Sequence, residues 1–224
     1  RRAGERTVRR LGARRVSTAK VPVVFEAPVA GSLLGHLVDA VRGPNLYRRS
    51  SFLLDAAGEQ LFPKGTQVIE EPHLRRGLGS APFDAEGCAT HGGKLIDDGV
   101  LTGYCLDSYS ARKLGMTPTG HAGGVHNLHL APGDKSPTQL LAEMGTGLLV
   151  TELIGMGVNG VTGDYSRGAA GFWVENGEIA YPVEELTIAG NLRTMFANLT
   201  AVGSDLEMRG NMNAPSVLVG EMTV

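Results

Sequence analysis

The residues best equipped for chemistry are six histidines and two cysteines, and their spacing decides what they can do. Cys88-Ala-Thr-His91 offers two metal-binding atoms, with Cys105 or one of His121, His126 and His129 available to complete a set. Zinc sites draw on Cys and His in such pairs, but the second half here has no recognisable zinc spacing. A loop cysteine beside a surface histidine accounts for the segment more simply. A zinc-protease helix needs His-Glu-x-x-His, because residues four apart share a face and the glutamate activates the bound water. No such segment occurs. The glycine-rich His121-Ala-Gly-Gly-Val-His126 lets backbone approach a ligand or a neighbouring strand, and serves equally well as a turn.

Other motifs are weaker. Gly155-Met-Gly-Val-Asn-Gly160 matches a dinucleotide fingerprint after the apolar strand 148–154, but that fingerprint works only where a helix follows. The turn-like Val161-Thr-Gly-Asp-Tyr-Ser-Arg-Gly168 follows instead, so a glycine-rich bend in a sheet is the better reading. Ser110-Ala-Arg-Lys113 spells a serine–lysine motif without its companion elements, and a solvated helix face explains it. Ser166 lacks the first glycine of a nucleophile elbow. The sequon Asn198-Leu-Thr200 has no meaning in a chain expected in the cytoplasm.

The elements that must hold these residues are short. A helix is expected over 5–15, a strand over 20–25 and a helix over 28–41, where Val29, Leu33, Leu34, Leu37, Val38 and Val41 recur at helical spacing up to a stop at Gly43-Pro44. His36 sits at the edge of that apolar face and Asp39 lies opposite. A strand over 67–70 and a loop over 72–82 precede a hairpin of 94–96 with 100–105 around Asp97-Asp98-Gly99. Then come a helix over 108–114 ended by Gly115, a strand over 125–130 and a helix over 137–144 capped by Ser136. Asn176-Gly177 turns the clearest hairpin, 171–175 with 178–181, and a helix over 192–199 and a strand over 216–224 finish the chain. The pattern is α+β, strand-rich, with a large mixed or antiparallel sheet and a few short helices.

Composition narrows the function. The 224 residues carry a formal net charge of -2, which speaks against binding nucleic acid by bulk charge. Residues 1–20 hold seven arginines and Lys20 against Glu5 alone, so the other 204 residues carry 13 bases and 22 acids. A solvated helix face or an interdomain contact explains this basic start better than nucleic acid. Thirty-two glycines, about twice the usual share, call for turns, bulges and close backbone approaches. No stretch reaches the roughly 20 apolar residues of a membrane span, and two cysteines suit a reduced compartment. The sequence starts without a methionine and reads as a piece of a longer, cytoplasmic protein.

Several segments, in order, are similar to the TldD/PmbA family and specifically to its PmbA (TldE) branch. They are Gly35-His-Leu-Val38, Tyr47-Arg-Arg-Ser-Ser-Phe-Leu-Leu-Asp55, Pro82-Phe-Asp84, Ser108-Tyr-Ser-Ala-Arg-Lys-Leu-Gly115 and Thr119-Gly-His-Ala-Gly-Gly124. Further on come Val161-Thr-Gly-Asp-Tyr-Ser-Arg-Gly-Ala169, Trp173-Val-Glu-Asn-Gly-Glu-Ile-Ala-Tyr-Pro182 and Ile188-Ala-Gly-Asn-Leu192. The resemblance implies the C-terminal half of a longer protein. Residues 1–20 would then be a basic helix or linker from an N-terminal domain, and 21–224 the C-terminal domain.

The resemblance also implies a function. In this family a cytoplasmic heterodimer acts as a metallopeptidase on unfolded or extended peptides, including peptide-antibiotic precursors and small antitoxins. The family has also been described as a modulator of DNA gyrase. In the TldD subunit two histidines of a His-Glu-x-x-x-His helix and a distant cysteine hold zinc. Carried over, those ligands fall at Gly35, Ala40 and Ala169, with His36 at the glutamate position. None of these three can bind zinc, so the resemblance implies a non-catalytic subunit without a metal of its own, and zinc in a TldD-like partner. Gly163, Asp164, Ser166 and Gly168, with His36 and His121, become candidates for a cleft-facing or partner-facing wall. A tight sheet bend explains the glycine-rich segment equally well. The other readings are a stand-alone regulatory binding protein of gyrase-modulator type and a metalloenzyme using Cys88 and His91.

Overall fold

The computed structural model describes residues 2–224, of Arg2 the backbone alone, so Arg1 of the basic start lies outside the described residues. In chain order the first elements are α1 (Arg2–Val8), β1 (Lys20–Phe25), α2 (Ala27–Val41), α3 (Gly43–Tyr47), β2 (Val68–Glu70), β3 (Gly93–Asp97) and β4 (Val100–Leu101). Next come α4 (Ser108–Leu114), β5 (Leu128–Leu130), α5 (Pro137–Met144), β6 (Gly147–Ile154), β7 (Asp164–Glu175) and β8 (Glu178–Asn191). The chain closes with α6 (Leu192–Ala197), β9 (Leu199–Val202), β10 (Met212–Asn213) and β11 (Val217–Thr223).

Local signals explain most of these boundaries. Ser136 accepts from the Gln139 amide while the Gln139 side chain accepts from the Ser136 amide, a capping box that starts α5 with Pro137 in its first turn. The Asp107 carboxylate caps α4, and Gly115 ends it at φ 67°, where a β-carbon would be strained. Asn176 (φ 52°) and Gly177 (φ 79°) make the left-handed turn that joins β7 to β8.

The larger sheet runs β1-β6-β7-β8-β11, and β11 returns to pair with β1, so it closes like a barrel, with β9 added on β11. Only β1 and β6 run parallel within it; the other pairs are antiparallel. The second sheet, β10-β5-β2-β3-β4, has one parallel pair, β10 with β5. Both faces of β1 are covered. Val23 and Phe25 enter the main core, while Val24 sits under Leu140 and Met144 of α5.

α2 links the two sheets. Its buried face, Ala30, Leu33, Leu34, Leu37, Val38, Ala40 and Val41, packs on β6 of the barrel and on β5 and β10 of the second sheet. One continuous core joins all three layers. Burial of a leucine such as Leu37, which is fully inside, contributes about 2 kcal/mol.

The structure departs from sequence expectation at several ends. The first helix stops at Val8 and turns carry the chain through Gly12, at φ 75°, so the helix expected over 5–15 is half its length and shifted. Gly43-Pro44 does not merely end α2. Arg42 is extended, and Pro44 begins α3, where its missing amide is harmless. β4 ends at Leu101; the Thr102 amide still bonds Leu95 O in register, and its hydroxyl turns back to Lys94 O as the chain leaves the sheet. β5 starts only at Leu128, because buried Asn127 takes φ 48° and spends its side chain on Gly79, Glu71 and Ser80. α6 ends two residues early, at Ala197, and Leu199 already belongs to β9.

Candidate functional site

α2 presents His36 and Ala40, one turn apart, toward the start of β7. Strand alternation puts Tyr165, Arg167 and Ala169 on one face of β7 and Asp164, Ser166 and Gly168 on the other. The His36 ring meets Tyr165 edge-on, with centroids 5.8 Å apart and planes at 77°, which fixes the first set as the one facing α2. Between the two elements lies an open cavity of about 160 Å³ whose lining includes His36, Asp39, Ala40, Arg167 and the apolar Phe52, Val158 and Leu192.

The 155–163 segment forms one wall of this cavity. Its glycines do not cradle a pyrophosphate: β6 and β7 are antiparallel, so the segment is a hairpin connection without a following helix. Asn159 organises it, accepting from the Val161 and Thr162 amides through Oδ1 and from the Gly163 amide through its carbonyl. Asp164 accepts from the Thr162 hydroxyl at 2.6 Å and from Asn191 Nδ2, and these bonds hold its exposed carboxyl below its ordinary value. Gly163 (φ 79°) packs under Phe52. The segment is thus a tight bend, as well as a cavity wall.

Polar atoms at the cavity are left without partners. His36 Nε2, the Tyr165 hydroxyl and Arg167 Nε are all buried and make no hydrogen bond. Burial first, and then the Arg167 charge, hold the His36 imidazole below its ordinary value, with Asp39 opposing in part, so it is neutral at pH 7. Burial pushes the Tyr165 phenol up to about 12 against the pull of Arg167. The guanidinium and the phenol approach one another without completing a well-aligned bond.

The implied ligand positions can be tested directly. Ala40 lines the cavity and Ala169 is buried on the Arg167 face of β7, while a side chain at Gly35 would start 4.0 Å from Met212 Cε. Glycine and alanine supply no donor atom, and the cation already present, Arg167, opposes a second one. Zinc does not fit the residues here.

A second histidine cluster is built quite differently. Buried Glu70 lies 2.7 Å from His121 Nε2 and accepts from the His126 amide at 2.6 Å, with His126 Nδ1 at 3.2 Å. His121 thus has the Glu70 carboxylate at Nε2 and the Thr119 hydroxyl 2.8 Å from Nδ1, and that hydroxyl also accepts from the Leu106 amide. His129 lies apart, 3.8 Å from Glu71. His121 therefore ties a loop to the second sheet.

Cys88 and His91 are not brought together with the other histidines. Among the described residues the metal-compatible group is Asp84, Glu86 and Cys88, and His91 is exposed outside it. Asp84 already accepts from the Glu86, Cys88 and Ala122 amides at 2.9, 3.0 and 2.9 Å, and Glu86 accepts from the Ser108 amide. Its burial favours the neutral acid, but those three amides and His126 outweigh it and hold the carboxyl below its ordinary value. Cys105 is enclosed; burial and then the nearby Glu70 push its thiol up to about 12, too high for a ligand or nucleophile at neutral pH. Ser110 is fully buried and bonded to Asp107, so only Arg112 and Lys113 form the solvated face expected of that motif.

The basic start folds back on the barrel. Arg6 pairs with Glu26 at 2.5 Å and Arg10 with Glu152 at 2.6 Å, while Arg15 bonds Glu185 through Nε at 2.9 Å. Arg9 and Arg14 lie over the rings of Phe172 and Tyr181. No helix among the described residues is long and apolar enough to cross a membrane.

Sequence reasoning reached His36 but not Tyr165 and Arg167, although both alternate with the buried Ala169. Glu70 and Asp84 were also missed; each stands beside a second acid, Glu71 or Glu86, and nothing in the local pattern says which of the two is buried.

The comparisons with known proteins agree with this architecture. A family model described as the PmbA/TldA metallopeptidase C-terminal domain matches residues 18–224. The chain is 56% identical over 219 residues to the metalloprotease PmbA of Escherichia coli O157:H7, covering 98% of this chain and 49% of that protein. It is 30% identical to a metalloprotease of Methanothermobacter thermautotrophicus, covering 93% of this chain and 48% of that protein. It spans about half the length of the curated relatives it matches. A crystal structure from Bacteroides thetaiotaomicron, described as a candidate modulator of DNA gyrase, superimposes with a TM-score of 0.94 at 35% identity, covering 99% of this chain and 50% of that one. TldE from Thermococcus kodakarensis shares the fold, with a TM-score of 0.85 at 23% identity over 99% of this chain and 54% of that one. The chain belongs to the PmbA/TldD metallopeptidase family, in its PmbA (TldE) branch, and corresponds to that family's C-terminal domain.

Proposed function

We propose that this domain is part of a subunit without its own zinc site in a TldD–TldE-type heterodimeric metallopeptidase of the cytoplasm. A TldD-like partner holds the zinc and does the chemistry; the substrates are unfolded or extended peptides, such as peptide-antibiotic precursors and antitoxins. The observation that carries this reading is the Arg167 guanidinium beside His36, in a cavity where Ala40 supplies no ligand atom. A fixed cation there disfavours a divalent metal, whereas it suits a wall that binds or orients a chain passing from the partner. Closure of the barrel also removes the β1 edge, so an added peptide strand has to use an edge elsewhere, such as β9, β10 or β4.

A stand-alone nucleic-acid reading gains nothing from the basic start, since Arg6, Arg9, Arg10, Arg14 and Arg15 are occupied by acids and rings of the barrel. The test is elemental analysis of the full-length protein, followed by peptide hydrolysis with and without a partner that bears His-Glu-x-x-x-His. Zinc far below one per chain, with hydrolysis only in the mixture, is the expected result. Stoichiometric zinc and hydrolysis by the isolated protein would overturn it.

A further inference from the structure

The cavity between α2 and β7 has properties that a structural filler lacks. Arg167 reaches it with no acidic partner among the described residues and with its Nε buried and unpaired. Asp39, an acidic group on the lining, is exposed and makes no ion pair with it. Arg167 is half-buried, with only its Nε fully enclosed, and an anion arriving beside it would supply the counter-charge and acceptor that the chain does not. His36 adds an unpaired Nε2 at the same place, neutral at pH 7 and able to donate in one of its tautomers. Behind it the buried Tyr165 hydroxyl has only the Arg167 guanidinium near it and completes no hydrogen bond.

The shape selects among anions. The cavity is about 160 Å³, several times the ~30 Å³ that a water molecule occupies, and Phe52, Val158 and Leu192 give it apolar walls. A planar group that accepts two parallel bonds and carries a small hydrocarbon matches a guanidinium better than a bulky, fully hydrated anion does.

We propose that this cavity is a carboxylate-binding site, in which Arg167 supplies the charge, His36 Nε2 a further hydrogen bond, and Phe52, Val158 and Leu192 the surface for the attached carbon. The carboxylate comes either from the C-terminus of a peptide or from an acidic side chain. The site does not depend on a catalytic partner, so its failure and that of the heterodimer reading are separately visible.

The experiment titrates the purified full chain, without partner, with propionate and with its neutral isostere propionamide, following the His36 imidazole by NMR. Saturable propionate binding that raises the His36 titration midpoint, with propionamide at least tenfold weaker, is expected; tenfold corresponds to ~1.4 kcal/mol. Arg167→Met should weaken propionate by a similar factor, and Arg167→Lys should recover part of it. Should Arg167→Met fail to fold, the propionate–propionamide contrast in the unaltered protein decides the matter alone. Short peptides separate the two sources: a free C-terminus against its amide, and an amidated peptide with an internal aspartate. Preference for the free terminus assigns the site to peptide ends, and preference for the aspartate peptide assigns it to side chains. Equal binding of propionate and propionamide, or no response at His36, would overturn the proposal.

Discussion

The His36 cavity and the Glu70 cluster are both half-hidden assemblies of histidine with an oppositely or similarly charged neighbour, yet they differ in how fully their polar atoms are used. Around Glu70 the main groups are matched: His121 is held at both ring nitrogens, and the carboxylate also takes a backbone amide. Around His36 three buried atoms are unmatched and the charge is uncompensated. Hydrogen-bond saturation separates a clamp from a receptor. A saturated network gains nothing from a ligand, while an unsaturated one remains capable of binding.

The largest expected effect breaks the clamp. Glu70→Leu strands the His121 ring N–H and the His126 amide without an acceptor, and should destabilise the fold by about 3 kcal/mol in denaturant unfolding. A loss near zero would mean that the cluster is no clamp at all. Next, Asp84→Asn turns one acceptor of the Asp84 triad into a donor that faces an amide, at a cost of about 2 kcal/mol near pH 7. Because the folded carboxyl sits below its unfolded value, its stabilisation is present above pH ~4 and is lost as pH falls toward the folded value. The gap between wild type and Asp84→Asn should therefore narrow on acidification, in thermal melts recorded across that range.

The smallest effects belong to the cavity. Arg167→Met should not lower stability and should raise it by up to ~1 kcal/mol, since a half-buried charge with an unpaired Nε is removed and no folded-state ion pair is lost. His36→Phe removes a buried, unpaired nitrogen and should be neutral to slightly stabilising at pH 7. The folded imidazole is held below its unfolded value, so wild type loses stability as pH drops below ~6.5, where the unfolded chain takes up the proton first. His36→Phe should flatten that slope between pH 7 and 5, and an unchanged slope would show that His36 is not the group responsible.

Much of the fold was legible because its signals are local. The α2 stripe, the Ser136 capping box, the Asp107–Gly115 ends of α4 and the Asn176-Gly177 turn each lie within a few residues of what they control. Barrel closure was not legible, since nothing in 20–25 or 217–223 alone says that these strands pair. The site was legible in part. Gly163, Asp164, Ser166 and Gly168 became candidates through the family resemblance of their segment; in the structure Asp164 and Ser166 are outward-facing and exposed, and the bend uses Gly163 and Asp164 for its own bonds. The neighbours of His36 are the intervening Tyr165 and Arg167, and only the facing of β7, set by its packing on α2, decides which alternate set is inside.

The β1–β11 seam also sets an order of events. Val23 pairs with Val219, about 200 residues later. At a synthesis rate of ~5–20 residues per second, β1 waits roughly 10–40 s for the strand that completes it. Through that interval its free edge is a template for any other extended chain. Pro22, with no amide to donate, and the irregular register between Val21 and Val23 interrupt that edge at its middle. A proline within a strand of the finished barrel is thus also a guard on the unfinished one.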